Sequence, residues 1–178
     1  MNRTAAWILA AALAGGCALQ AQGSNPLIAE QKAAYNNLKN NLLKAAEKMP
    51  EDAYSFKPTP EVQSFGQRIA HIANQIRTCS SITGEARQSD AASKTAKADL
   101  VAALKASFEF CDKAYNGLTD AKAAEIVKFF GRDFPKLGIL SFNNAHDDEH
   151  YGNLVTYMRL NGIVPPSSEP RQPAPAKK

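Results

Sequence analysis

The sequence predicts an all-α protein in which four long helices enclose one core. Four segments place apolar residues at steps of three and four, which is the period of a helix with one buried face. No segment alternates with period two, and no Asn-Gly or Asp-Gly pair separates strand-like runs. The chain has 178 residues, of which 44% are hydrophobic and 21% charged, and this composition fits one soluble globular domain.

The first 21 residues are expected to be a secretory signal peptide. Arg3 precedes an apolar run from Ala5 to Ala14, and small residues follow, which is the layout of a bacterial export signal. The run is shorter than the about 20 apolar residues of a membrane span. Cleavage after Ala21 or Ala18 would release a secreted or periplasmic protein. Cys17, in Ala-Gly-Gly-Cys, leaves a lipoprotein anchor open.

The first two expected helices are separated by a proline-containing break. The first helix runs from Leu27 to Met49 and carries a stripe of apolar residues on one face. After the break, Ser64 is the expected N-cap of the second helix, because serine commonly accepts from the first free backbone amides. The apolar period then continues to Cys79, and the helix is expected to end at Gly84.

The third and fourth expected helices complete the domain, which is assigned to residues 22–166. The third runs from about Asp90 to Gly117, and the connecting stretch 119–138 is expected to contain a short helix and a turn. The fourth runs from about Lys136 to Leu160, where Asn-Gly and then Pro-Pro follow it. Residues 167–178 are rich in proline without apolar content, so we expect a disordered tail.

Charge content bears on the class of partner, and cysteine content bears on whether a disulfide forms. The formal net charge is +4 and no basic cluster lies within the predicted domain, so no nucleic-acid partner is expected. Cys79 and Cys111 would both reach an oxidising compartment, where a disulfide between them can persist. Two small buried residues are the alternative, since free cysteine packs well in cores.

The chain has three histidines, and all of them fall in expected helices. His146 and His150 lie four residues apart on the fourth helix, which places them on one face about one turn apart. His71 lies in the second helix, and if these helices pack side by side, three imidazoles converge on one point. Three protein ligands with one open position are typical of a catalytic metal site. A solvated helix face is the alternative interpretation of the pair.

Other polar residues near these histidines are candidates for a supporting role. The segment His-Asp-Asp-Glu-His matches the H-x-x-E-H pattern of inverted zinc proteases, with Glu149 as general base. A protease is disfavoured, because such enzymes take a third, acidic ligand well downstream in a larger chain. Glu149 and its acidic neighbours are instead interpreted as orienting an imidazole or facing solvent. Asn74 and Asn143 lie three positions from His71 and His146, and are further candidates or ordinary polar surface.

Three stretches in this order resemble the signature regions of the DinB-like proteins. They are the lead-in from Tyr54 to Pro58, the string SFGQRIAHI from Ser64 to Ile72, and the string HDDEHYGNLVTYMRLNGIVPP from His146 to Pro166. The resemblance covers about residues 27–166. Many relatives have a second histidine directly after the last ligand, where this chain has Tyr151, and that departure leaves the ligand positions unchanged.

The resemblance implies a four-helix bundle with up-down-down-up connections and one divalent metal ion on His71, His146 and His150. Zinc or nickel is expected, because imidazole nitrogen suits such borderline metals. Relatives include thiol-dependent S-transferases, a mycothiol-dependent isomerase and metal-dependent hydrolases. The expected function is therefore a metal-dependent hydrolase or thiol-dependent transferase, and the alternative is a non-catalytic module that binds a metal or a partner. The chain could take a small-molecule substrate and could form a homodimer, and no membrane span is expected.

Overall fold

The protein is mostly helical, and the computed structural model describes residues 25–170. The expected signal peptide, Cys17 and the last eight residues lie outside the described residues. Within residues 25–170, no helix is both long and apolar enough to span a membrane. The elements in chain order are α1 (Pro26–Lys48), α2 (Phe65–Ala73), α3 (Ile76–Thr83), α4 (Lys97–Asn116), α5 (Asp120–Ala123), β1 (Ile126–Phe129), β2 (Arg132–Pro135) and α6 (Lys136–Leu160).

The core lies between α1, α4, α6 and the consecutive pair α2 and α3. Helix α1 packs on α4 and α6, and both short helices pack on α4 and α6 as well. Most of the buried side chains come from the apolar faces of the predicted helices, and Tyr35 of α1 stacks on Tyr115 of α4 with ring centroids 3.8 Å apart. The Tyr35 hydroxyl donates to the carbonyl of Phe108 at 2.9 Å. This packing holds α2 and α6 side by side, which is the arrangement that the histidine hypothesis requires.

The second predicted helix is two helices in the structure. Ser64 is the N-cap, as predicted, and forms a capping box with Gln67. The backbone then tightens at Asn74 and Gln75, whose amides donate to the carbonyls three residues earlier, and α3 begins at Ile76. The break places the Gln75 side chain in the core, where it accepts a hydrogen bond. Local apolar spacing cannot reveal such a break, because both helices keep the same apolar face.

The all-α prediction is wrong for the segment between α5 and α6. Strands β1 and β2 form an antiparallel hairpin in which Phe129 pairs with Arg132. The two turn residues, Phe130 and Gly131, both have positive φ, at 48° and 74°. Such turns are usually Asn-Gly or Asp-Gly, so Phe-Gly gave no hairpin signal. The third helix also begins later than expected, at Lys97, because Ala91–Ser93 forms a separate 3-10 turn.

Two further contacts close the domain. Cys79 and Cys111 form a disulfide that links α3 to α4. Residues 167–170, expected to belong to a disordered tail, instead pack against the helices. The Ser167 amide donates to the Tyr151 hydroxyl at 2.9 Å, and Glu169 pairs with Lys48 at 2.6 Å. These polar contacts explain why a segment without apolar content is ordered at this point.

Candidate metal centre

The three histidines meet at one point between α2 and α6. Nε2 of His146 lies 3.0 Å from Nε2 of His71 and 3.0 Å from Nε2 of His150. The three ligand atoms all lie within 4.8 Å of one another. Two imidazole nitrogens bound to one zinc at about 2.0–2.1 Å are separated by about 3.0–3.4 Å, so the spacing of the ligand atoms fits a single ion.

The surroundings of the cluster lower the pKa of two of its imidazoles, those of His71 and His150. Burial, with His146, His71 and Arg68 nearby, lowers the pKa of His150 to about 3. Burial also lowers the pKa of His71, reinforced by His146 and Arg68 and opposed by Glu149. A neutral imidazole has a lone pair for a metal ion, whereas a protonated one does not. The donor set therefore fits a borderline divalent cation in chemistry as well as in spacing.

Arg68 contacts the histidine cluster, although the sequence did not identify it as a candidate site residue. Its Nη1 lies 3.1 Å from Nδ1 of His150. Guanidinium only donates, so this contact needs an unprotonated Nδ1 and leaves the proton of the neutral ring on Nε2. An ion bound through Nε2 needs the reverse tautomer. Arg68 and a metal ion at Nε2 therefore require opposite tautomers of the neutral His150 ring.

Behind His146 lies a buried polar network. Asp147 is fully buried, and its Oδ1 lies 3.7 Å from Nδ1 of His146. Burial raises the pKa of this carboxyl to about 6, although His146 opposes the shift. Asn143 donates to Oε1 of Gln75 at 3.0 Å and lies within 3.4 Å of Oδ2 of Asp147 and the Tyr115 hydroxyl. Carboxylates in this position commonly orient a ligating imidazole.

The supporting residues predicted from the sequence occupy different environments. Asn143 is buried and bonded to Gln75 rather than to a histidine. Asn74 lines the cavity described below, and Glu149 is exposed, with its charge close enough to affect the pKa of His71. Asp147 is the one carboxylate in residues 25–170 that lies within 4.0 Å of a histidine ring nitrogen, namely Nδ1 of His146. The full burial of an acidic side chain on a polar helix face is a tertiary property, and no local signal marks it.

A cavity of about 540 Å³ adjoins the histidines on the side of His71 and His146. One wall is aromatic and the other is polar. Phe142 connects the aromatic wall to the cluster, since its ring stacks on His146 with centroids 5.9 Å apart and an interplanar angle of 21°. The aromatic wall consists of Phe129, Phe130 and Phe142, and the polar wall includes Asn74, Arg77, Thr78 and Ser81.

Comparison with known proteins agrees with the resemblance seen in the motifs. The sequence profile of the DinB superfamily matches residues 34–154, a span that contains all three histidines. The chain is 26% identical over 134 residues to the "uncharacterized protein YjoA" of Bacillus subtilis strain 168. That alignment covers 72% of this chain and 85% of the relative.

Two crystal structures of DinB-like proteins have the same fold. One, from Bacillus cereus ATCC 10987, has a TM-score of 0.67 and 21% identity, and the match covers 78% of this chain and 95% of the other. The other is the B. subtilis YjoA structure, with a TM-score of 0.62, 21% identity, and coverage of 80% and 99%. The chain belongs to the DinB superfamily.

Proposed function

We propose that the protein is an exported enzyme that uses one divalent ion, zinc or nickel, held by His71, His146 and His150. The observation that carries this proposal is the convergence of three imidazole nitrogens within 4.8 Å beside a cavity. A structural metal site is usually closed by four protein ligands, whereas a catalytic site keeps one position open to substrate. The cavity next to His71 and His146 supports the second arrangement.

The proposal has two further parts, which concern the arrangement of the helices and the export of the chain. The helices α1, α4, α6 and the α2–α3 pair, taken as one broken helix, would form a four-helix bundle with up-down-down-up connections. Residues 1–21 would direct export as a signal peptide, and Cys17 would serve as an anchor if the chain is a lipoprotein. Oxidation of Cys79 and Cys111 to a disulfide supports an oxidising compartment.

Within this proposal a hydrolase is favoured over a thiol-dependent transferase. The ion would supply Lewis-acid chemistry, polarising a substrate oxygen or lowering the pKa of a water molecule to about 7. The side chains of Asn74, Thr78 and Ser81 line the cavity and can donate hydrogen bonds to a substrate oxygen. Both cysteines of the described part of the chain are in the disulfide, so a thiol would have to come from a cosubstrate.

A non-catalytic metal-binding module is the second candidate, and one observation favours it. The residues that line the cavity include no carboxylate, so no acidic side chain stands ready there as a general base. Glu149 is the acidic residue that influences His71, but it is exposed and does not line the cavity. Binding without turnover would fit such a cavity as well.

An activity test with zinc-loaded protein separates these candidates. The wild type would be given p-nitrophenyl acetate and bis(p-nitrophenyl) phosphate, and in parallel a thiol with an electrophilic aryl chloride. We expect hydrolysis that is lost on chelation, is restored by zinc and is absent in the variant in which all three histidines are alanine. Activity only with the thiol would assign a transferase. Zinc binding without turnover would assign the non-catalytic module.

A further inference from the structure

We propose that the cavity beside the histidines binds a small aromatic anion, with its ring against Phe130 and Phe142 and its anionic group on Arg77. The inference rests on the proposed function and names a substrate class for that same site. A cavity of about 540 Å³ lies in the range that accommodates small organic ligands. Three independent features of the lining lead to this class.

The first feature is the conformation and exposure of Phe130. It is the one residue other than glycine with positive φ in residues 25–170, and its side chain is 77% exposed. Left-handed backbone is energetically unfavourable for an ordinary L-residue, and Asn or Gly would fit this turn better. Burial in the core does not offset this cost, because the ring faces solvent and the cavity. Such strain is typical of positions where the side chain serves a ligand.

The second feature is the continuity of aromatic surface from the hairpin tip to the histidines. The Phe130 ring lies 4.2 Å from Phe129 and 5.9 Å from Phe142, measured between centroids. Phe142, which is 41% exposed, in turn stacks on His146. Rings with exposed faces and edges bind another flat apolar group by offset or edge-to-face packing. A ligand ring on this surface would reach the edge of the metal centre.

The third feature is the charge of the opposite wall. Arg77 is the one Lys, Arg, Asp or Glu residue among those that line the cavity. Its guanidinium has no ion-pair or hydrogen-bond partner among the described residues. Guanidinium binds carboxylate and phosphate groups through paired hydrogen bonds. An anionic group on the ligand would complement both Arg77 and the charge of a bound cation.

Calorimetric titration with three matched probes tests the inference. The probes are naphthalene-2-carboxylate, its neutral carboxamide, and acetate, which has the charge without the ring. Metal-free and zinc-loaded wild type are both titrated, so that binding to Phe130 and Arg77 is measured independently of the ion. We expect the carboxylate to bind at least tenfold more tightly than the carboxamide, and acetate to bind most weakly.

Two variants locate the binding. Phe130→Asn removes the ring with a residue that suits the turn, so the hairpin is retained, and it should weaken carboxylate binding about tenfold. Arg77→Gln should reduce the carboxylate to the affinity of the carboxamide. Ile126→Asn is the matched control, because Ile126 is 61% exposed on the same hairpin and does not line the cavity. It should bind all probes like the wild type.

Equal affinity of Phe130→Asn and wild type for the carboxylate, or no binding of any probe, would overturn the inference. Sedimentation gives a further outcome against it: a dimer that becomes a monomer on Phe130→Asn would assign the aromatic surface to a second copy of the chain. Zinc titration of the same proteins tests the proposed function separately. Intact zinc binding without any preference for the aromatic carboxylate would therefore contradict this inference alone.

Discussion

The histidine cluster and the aromatic wall of the cavity are built in different ways. The histidine side is held by the long helix α6 and the capped helix α2, and its ligand atoms are positioned by packed backbone. The aromatic wall takes Phe142 from α6 but Phe129 and Phe130 from a two-stranded hairpin, and the tip residue Phe130 is exposed and has positive φ. The part of ligand selection that depends on the hairpin can therefore vary without changing the metal ligands, whereas Phe142 shares α6 with His146.

The largest expected effect is the loss of one ligand from the histidine side. His71→Ala and His150→Ala should each lower zinc affinity at least about 100-fold, since even a residue that only orients a ligand commonly contributes 10–100-fold. His71→Ala should retain more affinity, because His146 and His150 remain paired by their own helix. Zinc titration at pH 7.5 measures both. The reverse order, or affinity equal to wild type, would contradict the ligand assignment.

A change of opposite sign is expected at Arg68. Arg68→Gln should raise zinc affinity about tenfold, because it removes a cation beside the site and its amide oxygen can accept a hydrogen bond from the Nδ1–H group of His150. Arg68→Lys, which keeps the charge, should remain close to wild type. Competition titration against a chelating dye measures the difference. Weaker zinc binding by the glutamine variant would show that the guanidinium supports the site instead.

The metal-free protein should lose stability as pH falls below about 6.5. Unfolded histidines take up protons near that pH, whereas the lowered pKa values of His71 and His150 keep the folded state from doing so until lower pH. The raised pKa of Asp147 acts in the opposite direction, because its contribution is largest in acid and is lost as pH rises from about 4 towards 6. Melting temperatures from pH 7.5 to 5.0 should therefore fall in the wild type by a few degrees.

His150→Ala provides the comparison for this pH dependence. The variant lacks the imidazole with the most strongly lowered pKa, so its melting temperature should fall less between pH 7.5 and 5.0. Asp147→Asn should fall more than the wild type, because it lacks the group that opposes the loss. Identical pH profiles for all three proteins would mean that these pKa shifts do not govern stability.

The smallest effect is expected on the aromatic side. Phe130→Asn should stabilise the protein by about 0.5–1 kcal/mol, because asparagine tolerates left-handed backbone better than phenylalanine. The melting temperature should rise by about 1–4 °C. Zinc affinity should stay within twofold of wild type, since Phe130 is not one of the three ligand residues and its ring pairs with Phe129 and Phe142. A large loss of zinc affinity would show that the aromatic wall and the histidine cluster are coupled.

The same contrast explains which features the sequence could predict. The pair His146 and His150, the cap at Ser64 and the order of the helices depend on residues close together in the chain, and the structure agrees with each. The DinB signature strings then related the distant His71 to that pair. Zinc or nickel as the ion, and export, stay predictions.

Other features depend on contacts between distant segments. The break at Gln75 is accompanied by a hydrogen bond to Asn143, and the burial of Asp147 results from the packing around α6. The hairpin has four-residue strands and a Phe-Gly turn, neither of which differs locally from a loop. Arg68 lies beside His150 only because α2 and α6 pack together. No periodicity in the sequence marks these positions.

Metal content of the purified chain tests the central claim most directly. The protein would be prepared without chelator, exchanged into metal-free buffer and analysed for zinc and nickel beside the variant with alanine at His71, His146 and His150. We expect close to one equivalent per wild-type chain and none in the variant, because these residues form the one three-ligand cluster found in residues 25–170. A metal content that survives replacement of all three histidines would contradict the claim.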